Sequence, residues 1–118
     1  LEAGKHVLCE KSLAGNYAHA RELVELARQK SRVLVENFMC ETHPQNLRAR
    51  DAVRSGELGA VGHLALSFGF PAFPPDDQRN SRELEGGALN DAGAYCVDMA
   101  QFYLDAVPEA VFASGHWN

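Results

Sequence analysis

The 118 residues suffice for one moderate core, and 46% hydrophobic with 23% charged residues excludes a disordered chain. Eleven Lys and Arg stand against 16 Asp and Glu, for a formal net charge of −5, with no basic stripe to neutralise phosphates, which argues against nucleic acid. No apolar run spans a bilayer and no signal-peptide pattern is present, so the composition predicts no membrane partner and a cytoplasmic location.

In chain order, "LEAGKHV" reads as a helix end, its stop at Gly4 and a strand start. A short apolar strand follows from His6 to Glu10. Asn16 then suits the N-cap of a helix whose apolar face carries Ala20, Leu23, Val24 and Ala27. Arg32 to Phe38 is a second apolar, β-branched run. Strand, helix and strand make a βαβ unit with parallel strands, and such continuous apolar strands fit a sheet covered on both faces.

A second helix is expected in "HPQNLRARDAVRSG", with Pro44 in its first turn, Leu47, Ala49 and Val53 on its apolar side and Gly56 as its stop. Gly62 to Phe70 alternates as a strand with one wet face. "PAFPPDDQRNSRELEGG" has turn residues and no periodicity, and so reads as a long functional loop. "ALNDAGAYCVDMAQFYLDA" predicts a third helix with Leu89, Cys96, Val97, Ala100 and Leu104 on its apolar side. A last alternating strand is expected from Val111 to Trp117. The two ends together read as those of a piece cut from a longer protein. The strands change character after about residue 60, which predicts α/β passing into α+β at a domain junction. Cys9, Cys40 and Cys96 have no paired spacing and read as reduced, partly buried thiols. Met39 and Met99 read as core residues.

Ligands of open parallel sheets bind beyond the carboxyl ends of the strands. The first strand delivers Glu10 and Lys11 there, and the second Glu36 and Asn37. Position alone leaves Lys11 open between a solvated charge and a substrate-facing group. Asp91 and Tyr95, four apart, share a helix face and suit a hydroxyl-binding carboxylate and a proton-donating phenol. Spacing alone favours the plainer alternative, a core aromatic with a wet hydroxyl and a first-turn carboxylate favoured by the helix dipole. Cys40 and His43 have a metal-ligand spacing without a second pair, so no metal is expected. "GELGAVG" follows a helix rather than a strand and reads as a turn.

"AGKHVLCEKSLAG" resembles the Glu-Lys-Pro signature of the Gfo/Idh/MocA oxidoreductases. "ENFMCETHPQ", "AVRSGELGAVGHL" and the stretch from "FPPDDQRN" to "DAGAYCVDMA" are similar to later segments of that family in the same order. Within it, the likeness is to the nucleotide-diphosphate-hexose 3-ketoreductases. The resemblance implies an NAD- or NADP-dependent dehydrogenase acting on a sugar or polyol. Residues 1–38 would be the C-terminal part of a Rossmann nucleotide-binding domain. Residues 39–118 would begin an open-sheet α+β substrate and dimerisation domain of a homo-oligomer. Lys11 would polarise the carbonyl and Tyr95 transfer the proton, with Asp91 holding a sugar hydroxyl. Glu10, Lys11, Asn37 and Arg79 would face the cofactor. The family's glycine-rich nucleotide turn does not occur in these residues, so the 118-residue chain alone is expected to be inactive. Ser12, Glu85 and Asn90 depart from the family pattern, where Pro, Gly and an apolar residue are usual. The alternative implied is a non-catalytic sensing or interaction protein on the same fold.

Overall fold

The computed structural model describes residues 1–115. Strand β1 (Val7–Glu10) and strand β2 (Leu34–Asn37) flank helix α1 (Tyr17–Gln29). The strands pair in parallel, with Val7 opposite Leu34 and Glu10 opposite Asn37. Asn16 caps α1 as its sequence position predicts, its side-chain oxygen accepting from the His19 N–H at 3.1 Å. At the other end the N–H groups of Lys30, Ser31 and Arg32 turn back onto the carbonyls of Leu26, Arg28 and Ala27, which satisfies those three carbonyls of the last turn.

Covering of the sheet on both faces does not occur among the described residues. Side chains alternate between half-buried and exposed along β1 and through the first three residues of β2, and Leu8 is 70% exposed.

A 3-10 turn (Met39–Thr42) leads into helix α2 (Pro44–Arg54), where Pro44 sits in the first turn because its missing N–H is not needed there. Gly56 ends the helix in the left-handed region at φ 77°. From residue 57 to residue 88 the backbone is irregular apart from a single 3-10 turn, Gln78–Asn80. Helix α3 (Ala94–Leu104) follows, preceded by a wide π turn, Leu89–Gly93. Helices α2 and α3 pack together. Tyr103 donates to Asn46 Oδ1 at 2.8 Å, and the Arg50 guanidinium lies 4.6 Å from the Phe102 ring.

Five sequence expectations are corrected here. Gly62 to Phe70 is not a strand, and neither is the described part of the last one, Val111 to Gly115. The remainder of that strand lies outside the described residues. Alternation prepares a strand for one wet face, but a strand exists only against a ladder partner, and the sheet consists of β1 and β2. The open-sheet part of the α+β expectation is therefore not formed among the described residues. The expected apolar side of the third helix is also shifted, because Leu89 and Val97 are exposed while Ala92 and Met99 are buried. The π turn widens the coil at Leu89–Gly93 and so rotates every later position relative to an α-helix begun at Ala88. Met39 is exposed, standing at the start of a 3-10 turn, and so is not a core residue. Cys9, Cys40 and Cys96 are free and half-buried, as expected. None of the described helices is long and apolar enough to cross a membrane.

Candidate active site

The carboxyl edge of β1 meets the start of the third helical segment, and that junction holds a connected set of charges. Lys11 follows the last residue of β1. Its Nζ donates to the Asp91 backbone carbonyl at 2.7 Å and to Asp91 Oδ1 at 2.9 Å. The lysine side chain is only 16% exposed and that of Asp91 25%, so water competes weakly for the pair. The other carboxylate oxygen, Asp91 Oδ2, lies 3.2 Å from Arg79 Nε. One carboxylate is thus shared between two cations.

Tyr95 stands one turn beyond Asp91 and turns its ring toward Lys11, with Nζ 5.0 Å from the centroid. The ring is held edge-to-face by Phe38 at 5.5 Å and by Phe68 at 5.3 Å. The four candidates Lys11, Arg79, Asp91 and Tyr95, spread over 84 positions of sequence, therefore converge. Lys11, Arg79 and Asp91 line a cavity of about 280 Å³ with Ser12, Gly15, Glu85 and Asn90. A smaller cavity of about 220 Å³, walled by Phe68, Phe70 and Phe73, lies against the same Asp91 and Arg79.

Glu10 and Asn37 do not join this set. They are opposite one another in the ladder, and Asn37 Nδ2 donates to Glu10 Oε1 at 2.7 Å. That bond ties the two side chains to each other across the ladder. Glu36 reaches further, accepting from the Leu13 N–H at 2.8 Å and so fixing the turn that follows Lys11. Cys40 and His43 also part company. His43 caps α2 through Nδ1, while the Cys40 thiol faces Asp98 at 4.0 Å.

Ser12, Asn90 and Glu85, the three departures from the resembled pattern, touch one another around the larger cavity. Ser12 Oγ donates to the Asn90 carbonyl at 3.4 Å, and Asn90 Nδ2 donates to the Glu85 carbonyl at 2.8 Å. Glu85 adopts the left-handed region at φ 58°, and its carboxylate lies against Gly15 in the space where a Cβ would stand. Only glycine fits at position 15 with Glu85 so placed.

Sequence reasoning missed Asp77 and Asp98. Asp77 accepts from the Arg79 N–H at 2.9 Å and from Arg79 Nη1 at 3.1 and 3.2 Å. The backbone N–H and then the guanidinium hold its carboxyl below the usual carboxylate range. Its signal was an Asp two positions before an Arg within a loop, a common Asx-turn arrangement. Asp98 lies on the same side of α3 as Tyr95, and only tertiary packing reveals its neighbours.

Burial pushes the Asp98 carboxyl up to about 6, helped by the negative charges of Glu41 and Glu36. The folded state then holds this proton more tightly than the unfolded chain. The resulting penalty is absent below the ordinary carboxylate value, grows as pH rises toward 6 and is complete above it. Asp98→Asn is expected to stabilise the chain at pH 7 by about 1 kcal/mol, a value discounted for solvent screening of a half-buried group. At pH 4 the substitution is expected to be nearly neutral. Thermal unfolding at both values checks this, with a rise of roughly 3 °C or more at pH 7 only. Equal shifts at both values would refute the titration.

Comparison with known proteins places these features in a family. Residues 46–118 match the GFO/IDH/MocA C-terminal domain, and residues 1–38 match an oxidoreductase family with an NAD-binding Rossmann fold. Over 113 residues, 96% of the chain, it is 40% identical to dTDP-3,4-didehydro-2,6-dideoxy-alpha-D-glucose 3-reductase of Actinomadura kijaniata, covering 34% of that protein. It is 37% identical to trans-1,2-dihydrobenzene-1,2-diol dehydrogenase of Xenopus laevis, over 98% of the chain and 35% of the relative. With D-xylose 1-dehydrogenase (NADP(+)) 2 of Haloferax volcanii it shares 36% identity, over 96% of the chain and 34% of the relative. The chain thus spans about a third of the length of these curated relatives. The chain belongs to the GFO/IDH/MocA oxidoreductase family.

Proposed function

We propose that this chain is the junction segment of an NAD(P)-dependent oxidoreductase that interconverts a ketone and a secondary alcohol on a small sugar. In this reading residues 1–38 belong to the nucleotide-binding domain and residues 39–118 to the substrate domain. The observation that carries it is the state of Lys11. An ammonium has three N–H donors, and the two bonds to Asp91 leave one for a ligand in the adjoining cavity.

The 280 Å³ cavity is at the small end of ligand sites, which run from about 300 Å³ upward. It fits a sugar ring or a nicotinamide head and not a whole dinucleotide. Lys11 and Arg79 line it and would hold that head, with Glu10 and Asn37 at the neighbouring sheet edge. A bound reduced nicotinamide supplies hydride to the substrate carbon. The residues of this chain act on the carbonyl oxygen and its proton.

The free N–H of Lys11 donates to the keto oxygen and offsets the negative charge that grows there as the carbon is reduced. Asp91 keeps the ammonium from swinging away. Tyr95, held edge-to-face by Phe38 and Phe68, is the proposed donor of the proton that completes the alcohol, and takes it back in the reverse direction. Arg79 closes the loop side of the cavity. The dideoxyhexose reductases among the relatives make a dTDP-linked 3-keto-dideoxyhexose the first substrate to try.

The expected result is NADH or NADPH oxidation by the intact protein when that sugar is supplied, followed by loss of nicotinamide absorbance. Tight binding of the sugar with no oxidation of either nucleotide would favour a sensing protein instead.

A further inference from the structure

The geometry points to Asp77 as a positioning residue: its carboxylate fixes the Arg79 guanidinium so that Asp91 is divided between two cations and Lys11 stays incompletely neutralised. This rests on the reading of Lys11 as the carbonyl-polarising group.

Three contacts tie Asp77 to Arg79. The aspartate caps the 3-10 turn Gln78–Asn80 by accepting from the Arg79 N–H at 2.9 Å. Both its oxygens also accept from Nη1, at 3.1 and 3.2 Å. Backbone and side chain of one arginine are therefore fixed by one carboxylate. The face of the guanidinium is set by Phe73, whose ring centroid lies 4.5 Å from Cζ. With Nη1 held and the face stacked, Nε is left beside Asp91 Oδ2 at 3.2 Å.

The consequence falls on Lys11. A carboxylate that faced the ammonium alone would spend its whole charge there and weaken the lysine as an electrophile. Arg79 draws on the second oxygen of the same group. Asp77 does not line the cavity, so it acts only through Arg79. Its own carboxyl, held low by the Arg79 N–H and guanidinium, keeps its charge through the neutral range.

Asp77→Asn tests this in the intact protein, because it keeps an acceptor for the turn and removes the charge. Nitrogen NMR of the Arg79 side chain reads the positioning without any substrate. Separate, slowly rotating Nη signals are expected in the parent, one averaged signal in Asp77→Asn, and recovered separation in Asp77→Glu. An averaged signal in the parent, or separate signals in Asp77→Asn, overturns the proposal.

Turnover of the dTDP-linked 3-keto-dideoxyhexose with NADPH reads the consequence. Asp77→Asn is expected to lower kcat about tenfold, and to lower it no further in an Arg79→Ala background. An unchanged kcat, or the same loss in both backgrounds, overturns the reaction role. Failure of the wider reading looks different, since Lys11→Ala would then leave turnover intact while the NMR result still stood.

Discussion

Replacing Lys11 by alanine is expected to lower the rate of ketone reduction by at least about a hundredfold, with nucleotide affinity much less affected. A single donor aimed at a developing oxyanion in a water-poor site contributes about 3 kcal/mol, which corresponds to this factor. Lys11 meets those conditions. Its side chain is 16% exposed, its position is fixed by two bonds to Asp91, and one N–H remains for a ligand. Lys11 also joins the sheet edge to the turn before α3, so alanine removes a structural link as well. Lys11→Met separates the two effects by retaining the length and packing of the side chain. Both variants should lose turnover, and the methionine variant should melt closer to the parent. A loss of less than tenfold with the true substrate, in a variant that remains folded, would leave Lys11 a structural cation.

The parts of the molecule written in local pattern were legible before the structure. Asn16 caps α1 and Pro44 opens α2 because each depends on residues within a turn, and the two apolar runs pair in parallel because a single helix crosses over between them. Residues 62–70 show the opposite case. "GHLALSFGF" specifies which side chains share a face, but no local signal names the strand that must pair with it. The third helix failed in register for a local reason that hydrophobic pattern cannot carry, a π turn at Leu89–Gly93.

The site divides in the same way. Asp91 and Tyr95 were visible as an i,i+4 pair, whereas their meeting with Lys11 and Arg79 needed the family likeness. Glu10 and Asn37 sat at the correct sheet edge, yet the ladder made them partners of each other. Asp77 and Asp98 escaped notice because their roles depend on burial and on neighbours that only folding supplies. Asp77 looked like any turn aspartate until the guanidinium it fixes was seen against Asp91.

Removing the Asp91 carboxylate is expected to be as damaging as removing Lys11, for a different reason. In Asp91→Ala the Lys11 ammonium and the Arg79 guanidinium lose the carboxylate they share, and only Arg79 keeps another, that of Asp77. Two cations left together in a partly buried site repel, and charged hydrogen bonds of this kind each contribute about 2 kcal/mol. The ammonium then leaves its productive position, and turnover should fall by at least about a hundredfold together with a clear drop in melting temperature. Asp91→Asn should be milder, about tenfold. The amide oxygen still accepts from one cation, and the backbone carbonyl at position 91 still holds Lys11 at 2.7 Å in the parent geometry. Its NH2 group, however, offers a donor where the second cation needs an acceptor. The order Asp91→Ala worse than Asp91→Asn, with Lys11→Ala adding little to Asp91→Ala and bringing Asp91→Asn only down to the level of Lys11→Ala alone, is what a shared carboxylate requires. Steady-state kinetics of the three single and two double variants measures it. Losses that simply multiply would mean that Asp91 and Lys11 act apart, and that the carboxylate binds substrate without governing the lysine.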